Sequence, residues 1–304
     1  MGYKMIELRN KKHKLFGDRA ERVSTEEMSS VFQEIRIAIS THIDALVATT
    51  SLADKTSHGD VDLVYIPRFD RNIRDTLMNA FGESILDESK NGDVYSILFD
   101  SKSVGKHVHV DFIKANEKNF RTKLQYFSYN DFSGVVGMFS KKLKFKYGSE
   151  GFFKRFRDKR GNFHDILISY DLRDGLRILG FDATKFDELK TVDDIVAFML
   201  TSPMFDSSMV KHKELNQSDK KSMKRPVVEY VVSKLREANA VATVTNEDYF
   251  FHKLFPEKDI EVVKECLRID ESVTPKFKKY DGNWITSTFK LKPGPLVGSI
   301  LKYL

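Results

Sequence analysis

Three aspartates carry the chemistry this sequence suggests. Asp60 and Asp62 lie two residues apart in SHGDVDLVYI (57–66), directly after Gly59 and inside what otherwise reads as a buried strand. A strand sends alternate side chains to opposite faces, so Asp60 and Asp62 project together while Val61 and Leu63 point to the core. A later stretch, KHVHVDFI (106–113), repeats the device. There Val108, Val110 and Phe112 share one face, and His107, His109 and Asp111 share the other. If the two strands are neighbours, three carboxylates converge. Such a cluster repels itself unless something positive sits within it. A hard divalent cation suits oxygen ligands, and Mg²⁺, or Mn²⁺ in its place, keeps open positions for water and phosphates. Two such ions about 4 Å apart can clamp the attacking and leaving oxygens of a phosphoryl transfer. A lone Asp-x-Asp can also mark a strand at a sheet edge facing water, so its surroundings decide.

The preceding loop, Thr50 to Gly59, carries hydroxyls at Thr50, Ser51, Thr56 and Ser57, a cation at Lys55 and a glycine at Gly59. Hydroxyls and backbone N–H groups at a short helix start make a cradle for a triphosphate, and Gly59 permits a close approach and a sharp turn. His58 is read as either a phosphate contact or a turn residue. His107 and His109 are read first as solvent-facing strand histidines, and second as groups near a triphosphate or a metal-bound water.

The elements that must position these residues follow from periodicity. Apolar residues at Met28, Val31, Phe32, Ile35 and Ile39 have helical spacing over 25–43, with Ser24 and Glu27 forming a capping box. DALVATT (44–50) reads as a short strand and DVDLVYI (60–66) as a second, closed by Pro67. A helix is predicted over 73–81, then strands at VYSILFD (94–100) and KHVHVDFIKA (106–115). This order gives a small mixed sheet with helices packed on it. Beyond residue 120, GFFKRFRDKRGNFHDILISYD (151–171) reads as a hairpin turning at Arg160-Gly161-Asn162. Helices are predicted at 172–179, 192–201, 226–238, 247–255 and 259–268. The expected fold class is α/β of the α+β kind. Its first domain spans 1–120 and holds the mixed sheet; its second, 121–304, is mainly helical with a β-hairpin.

The 304 residues suffice for two domains, and 41% hydrophobic with 31% charged residues is a globular balance. No run of about 18 apolar residues predicts a membrane span, and the start lacks the apolar core of a signal peptide. Cys266 is the single cysteine, which excludes an internal disulfide and a cysteine-based zinc cluster and fits a cytoplasmic, reducing setting. The net charge of +6 is uneven. Lys142, Lys144, Lys146, Lys154, Arg155 and Arg157 fall in one basic stretch, interleaved with Phe152, Phe153 and Phe156, and a second cluster runs from Lys211 to Arg225. Rings alternating with cations suit single-stranded nucleic acid, and equally suit an ordinary amphipathic strand. Trp284 and Cys266 are read as core.

The arrangement around Asp60 resembles the nucleotidyltransferase superfamily that includes DNA polymerase beta, poly(A) polymerases and CCA-adding enzymes. The family pattern is Gly-Ser, a short loop, Gly-Asp-x-Asp and a third Asp on a later strand. Here Thr50-Ser51 stands at the Gly-Ser position, with Thr50 in place of the glycine. Gly59-Asp60-Val61-Asp62 stands at the metal motif and Asp111 at the third carboxylate. The C-terminal DGNWITSTFKLKPGPLVGSILKYL, with Gly294-Pro295-Leu296-Val297-Gly298 opening a helix, is similar to the ending of the CCA-adding enzyme body. The middle of the chain resembles nucleotidyltransferase-like proteins of large bacteriophages and other viruses, for which the host cytoplasm is the setting. The arginine-rich neck motifs of CCA-adding enzymes are missing. The resemblance implies that Asp60 and Asp62 bind both metal ions and that Asp111 is the general base or a third metal ligand that activates the acceptor hydroxyl. Thr50, Ser51, Lys55, Ser57 and Gly59 would meet the NTP. The expected reaction is template-independent transfer of NMP from an NTP to a nucleic-acid 3′ hydroxyl, RNA before DNA, with release of pyrophosphate. The alternatives are transfer to a protein or small molecule, and a non-catalytic module that binds nucleotide or nucleic acid.

Overall fold

The structure, a computed structural model, describes residues 15–157, 163–211 and 225–244, with position 286 beyond them. The chain is α+β, as its patterning predicts. It divides into two compact units, Met1–Asn130 and Asp131–Leu304.

In the first unit the elements run β1 (Val23–Ser24), α1 (Thr25–Ile39), β2 (Ile43–Ala48), β3 (Ser57–His58), β4 (Val61–Pro67), α2 (Ile73–Phe81), β5 (Ile85–Asn91), β6 (Val94–Ser101), β7 (Lys106–Lys114) and α3 (Phe120–Phe127). The capping box at α1 is present: the Ser24 side chain accepts from the Glu27 amide while the Glu27 carboxylate accepts from the Ser24 amide. Asn72 caps α2 by accepting from the Arg74 amide. Five strands form a mixed sheet in the order β2-β4-β7-β6-β5, and β4 pairs with β7 in parallel. Strand β4 is therefore interior, flanked by β2 and β7, so the edge-strand explanation of its aspartates does not hold. β1 and β3 form a separate two-residue ladder that ties the 50–59 loop to the start of α1.

One face of the sheet is covered by α1 and α2. Val61 and Leu63 of β4 and Val108, Val110 and Phe112 of β7 meet Val31, Ile35 and Ile39 of α1 there, all without measurable exposure. On the other face, Val64, Ile113 and Ala115 pack against Phe120, Leu124 and Phe127 of α3. That contact carries α3 into the first unit, which moves the boundary from the expected 120/121 to 130/131. Strand β5 was not expected. Its sequence, ILDESKN, is polar because the strand is the sheet's outer edge, hydrogen-bonded to β6 alone.

The second unit holds α4 (Phe132–Lys142), β8 (Phe145–Gly148), β9 (Gly151–Arg157), β10 (Phe163–Ser169), α5 (Leu172–Ile178), α6 (Val192–Met199) and α7 (Pro226–Glu237). The expected hairpin is a three-stranded antiparallel sheet, order β10-β9-β8. Strand β8 escapes sequence reading because its four residues are too short for an alternation. Phe152 is buried against Phe145, with stacked rings 5.0 Å apart, and against Gly175, where a methyl group would lie 2.5 Å from the ring. Phe153 is buried too, so neither ring is open to stack on a base. The expected turn at 160–162, the helices beyond residue 244, Cys266, Trp284 and the Gly294–Gly298 element lie outside the described residues. Among the described residues no helix is long and apolar enough to cross a membrane.

The packing under β4 sets the positions of Asp60 and Asp62, so damage there should read out as lost stability. Leu63→Ala removes a fully buried side chain and should cost about 2–5 kcal/mol, measured by urea denaturation. A cost near zero would show that this strand is not anchored as described.

Candidate metal centre

The parallel pairing of β4 and β7 places Asp62 directly opposite Asp111. Neighbouring positions on one sheet face bring side chains within about 5 Å. Asp60, two residues before Asp62, joins them, and one carboxylate oxygen from each of the three lies within 4.8 Å of the others. The three predicted acids thus converge, and they do so because two strands far apart in sequence are neighbours in the sheet. Asp60 is the most open to water; Asp62 and Asp111 are half-buried.

The electrostatics follow from that crowding. Burial, then the charges of Asp60 and Asp111, push the Asp62 carboxyl up to about 8, against the pull of Lys55 and His109. A carboxyl in this state prefers a proton or a metal ion to an empty negative charge. His109 Nε2 donates to the Asp111 carboxylate oxygen Oδ1 at 2.8 Å, and the Phe16 ring stands edge-on to the imidazole at 5.0 Å. Burial lowers the His109 pKa, but the hydrogen bond and charge of Asp111, with Asp60 and Asp62 behind it, outweigh that and raise it. His109 is therefore part of the acidic cluster, in contrast to the solvent-facing position its strand pattern suggests. His107 is exposed, with Asp100 at 3.8 Å.

The loop differs from expectation in one respect: no helix starts there. Residues 50–56 form a turn, closed by the Lys55 amide donating to Leu52, before β3 begins at Ser57. The Thr50 amide donates to Ser128 Oγ and the Leu52 amide to Asn130 Oδ1, while the Thr50 carbonyl accepts from the Tyr129 amide. Two backbone N–H groups assigned to a phosphate cradle are thus engaged within the fold. Tyr129 and Asn130 adopt left-handed backbone angles, φ 58° and 57°, to reach the loop. The Ser51 hydroxyl lies 3.5 Å from His58 Nδ1, and Thr25 Oγ1 lies 3.1 Å from His58 Nε2. His58 is buried, and burial together with the charges of Lys55 and Arg22 lowers its pKa despite Asp60. It is a neutral bracket under Ser51 and not a surface contact for phosphate.

Arg22 is the residue that sequence reading missed. Its guanidinium donates to the Ser57 hydroxyl at 2.8 Å and to the Ser57 carbonyl at 2.6 Å. A methyl group on Gly59 would lie 3.1 Å from Arg22 Nη1, so the missing side chain at Gly59 is what lets the guanidinium close over the loop. Its only local signal is that β1 follows it, and β1 pairs with β3 far along the sequence.

The basic residues belong to the second unit. Lys146 and Arg155 both reach Asp165, Lys146 at 3.1 Å and Arg155 by two bonds of 2.7 and 2.8 Å. Lys154 stands 4.5 Å over the Phe145 ring and Arg155 4.6 Å over Phe163. Lys142 closes α4 and Lys144 follows it with φ 59°. The Arg157 and Phe156 side chains lie outside the described residues. Comparison of the sequence with protein-family models and with curated proteins gives no match.

Three convergent oxygen donors, one of them strained toward neutrality, fit a divalent cation. The donor set is all carboxylate, the kind of donor that hard divalent ions take. The pH dependence of stability should show this. Without metal, Asp62 keeps its proton in the folded protein up to about 8 but loses it near 3.8 once unfolded. Across that interval the folded state binds the extra proton, so stability is lost as pH rises through it. His109, also raised, acts in the same sense. In EDTA the urea midpoint should fall between about pH 5 and about pH 8. Asp62→Asn should flatten the decline, and Mg²⁺ should restore more stability at the alkaline end. A midpoint independent of pH in EDTA would contradict the reading.

Proposed function

We propose that the protein transfers a nucleoside monophosphate from an NTP to an acceptor hydroxyl, with a nucleic-acid 3′ end, RNA before DNA, as the acceptor. The observation that carries this reading is the convergence of Asp60, Asp62 and Asp111 within 4.8 Å on adjacent parallel strands, beside a hydroxyl-rich loop that carries Lys55 and is met by Arg22 at Ser57. Bound divalent ions would neutralise charge on the triphosphate and stabilise the departing pyrophosphate.

The chain's own groups have distinct tasks. Asp60 and Asp62 hold the metal ions from one strand. Asp111 accepts the proton of the attacking hydroxyl, and His109 fixes its carboxylate at 2.8 Å. The oxygen–phosphorus bond to the acceptor forms as the bond to the pyrophosphate oxygen breaks, and the proton leaves by way of Asp111. The Ser51 hydroxyl, held over His58, and Lys55 contact the phosphates, and Thr50 and Ser57 shape the loop around them. Arg22 adds a second cation at Gly59. Positioning supplies much of the remaining rate.

One observation favours a second reading of the acceptor. Asp165 neutralises Lys146 and Arg155 locally, so the basic stretch offers less charge to a nucleic-acid backbone than its sequence suggests. A protein or small-molecule hydroxyl is then the acceptor, with the chemistry unchanged. A non-catalytic nucleotide-binding module would retain NTP binding with no pyrophosphate release.

Labelled NTP offered with Mg²⁺ or Mn²⁺ to RNA, DNA and whole-cell extract separates these readings by the product that takes up label. The proposal expects label at RNA 3′ ends, with acceptor affinity falling as salt rises. Asp60→Ala and Asp62→Ala should each reduce transfer by about 10³-fold or more, the scale of several kcal/mol of lost charge stabilisation, with the fold retained. Near-normal turnover in either variant would sink the mechanism.

A further inference from the structure

A second cleft in the first unit lies near the far end of β4 from Asp60, walled by the start of α2, the β5–β6 turn and the end of β7. Its volume is about 550 Å³, and Tyr65, Arg71, Asn72, Arg74, Lys90 and Lys114 are among the residues lining it. That size suits a ligand from a phosphate group up to a mononucleotide.

Its charge is directional. Four lining side chains are cationic and two are acidic, Glu88 and Asp93. Both acids already have partners. Arg74 binds Glu88 through two bonds of 2.8 and 3.1 Å, and the Tyr95 hydroxyl donates to the same carboxylate. Lys123, itself buried, reaches Asp93 at 2.7 Å. Arg71 and Lys90 have no acidic partner among the described residues and line the cleft from different elements, Arg71 from just before α2 and Lys90 from the end of β5. The first turn of α2, with Asn72 at its cap, adds the positive end of a helix dipole; Asp75 of that turn does not line the cleft.

Tyr65 supplies the independent observation. Its side chain is 3% exposed, packs edge-on to Phe112 at 6.3 Å, and lines the cleft floor. Its ring is packed in the core while its hydroxyl, which makes no hydrogen bond among the described residues, is not enclosed and opens to the cleft, free to donate to a ligand there. Burial and the charge of Asp93 push its pKa up to about 12, so it remains a donor.

We propose that this cleft binds a phosphate group, with Arg71 and Lys90 gripping its oxygens and the Tyr65 hydroxyl donating to it from below. The site is separate from the carboxylates at Asp60, Asp62 and Asp111 and does not depend on the function proposed for them. It takes either free phosphate or a phosphate ester of mononucleotide size.

Calorimetric titration of the full chain in EDTA tests this, using inorganic phosphate in one arm and AMP in the other. EDTA keeps metal-dependent nucleotide binding at the acidic cluster out of the measurement. Binding should be lost by about tenfold or more in Arg71→Ala and in Lys90→Ala, each of which removes a charge-assisted contact at an exposed position. Tyr65→Phe keeps the packed ring and should weaken binding by a smaller factor, several-fold. Tighter binding of AMP than of phosphate, lost in the same variants, identifies the ligand as a nucleotide; equal binding identifies free phosphate. No binding in either arm, or binding that all three variants leave unchanged, overturns the proposal.

Discussion

The first unit depends on one constraint: three carboxyl groups that repel one another when ionised must be held together by a frame strong enough to oppose that repulsion. The frame is the parallel pairing of β4 and β7 in the middle of a five-stranded sheet. Each strand buries its alternate side chains completely, Val61 and Leu63 on one and Val108, Val110 and Phe112 on the other. Burying such side chains contributes about 1.5–3 kcal/mol each, and the same alternation that buries them turns the aspartates outward. Asp62 shows the opposing force, because its carboxyl is driven up to about 8 by burial and its neighbours. Stability and the proposed chemistry thus draw on opposite faces of the same two strands.

The loop before β4 is held by contacts that reach it from several directions. Ser128 and Asn130, beyond α3, fasten its backbone, and Arg22 and His58 fasten its hydroxyls. Together these four side chains fasten Thr50, Leu52, Ser57 and Ser51. That matters for the proposed phosphate contacts, because a site loosened by an ångström loses much of its advantage. The first basic cluster lies outside this unit and is tempered by Asp165, and the second, from Lys211 to Arg225, lies almost wholly outside the described residues.

Much of this was legible in the sequence, and the reasons are local. The helix at 73–81 and the capping box at Ser24 and Glu27 have signatures within a few residues. So does the period-two burial of β4 and β7, and from it the facing of Asp60, Asp62 and Asp111. What escaped depends on partners. ILDESKN has no apolar alternation because β5 is an edge strand, and β8 is too short to show one. Helix α3 buries Thr122, Lys123 and Gln125, polar residues that disguise its inward face. That placed the unit boundary about ten residues early. The His109–Asp111 bond was within reach of a strand reading, since the two share a face at i and i+2. The Arg22 contact was not, because it requires knowing that β1 pairs with β3.

Anomalous diffraction from crystals grown with Mn²⁺ tests most directly whether the acidic cluster of the first unit holds metal. Manganese signal is expected among Asp60, Asp62 and Asp111, at about 2.1 Å from their carboxylate oxygens. Crystals that hold Mn²⁺ elsewhere, or none at all while the three side chains stay in place, would contradict it.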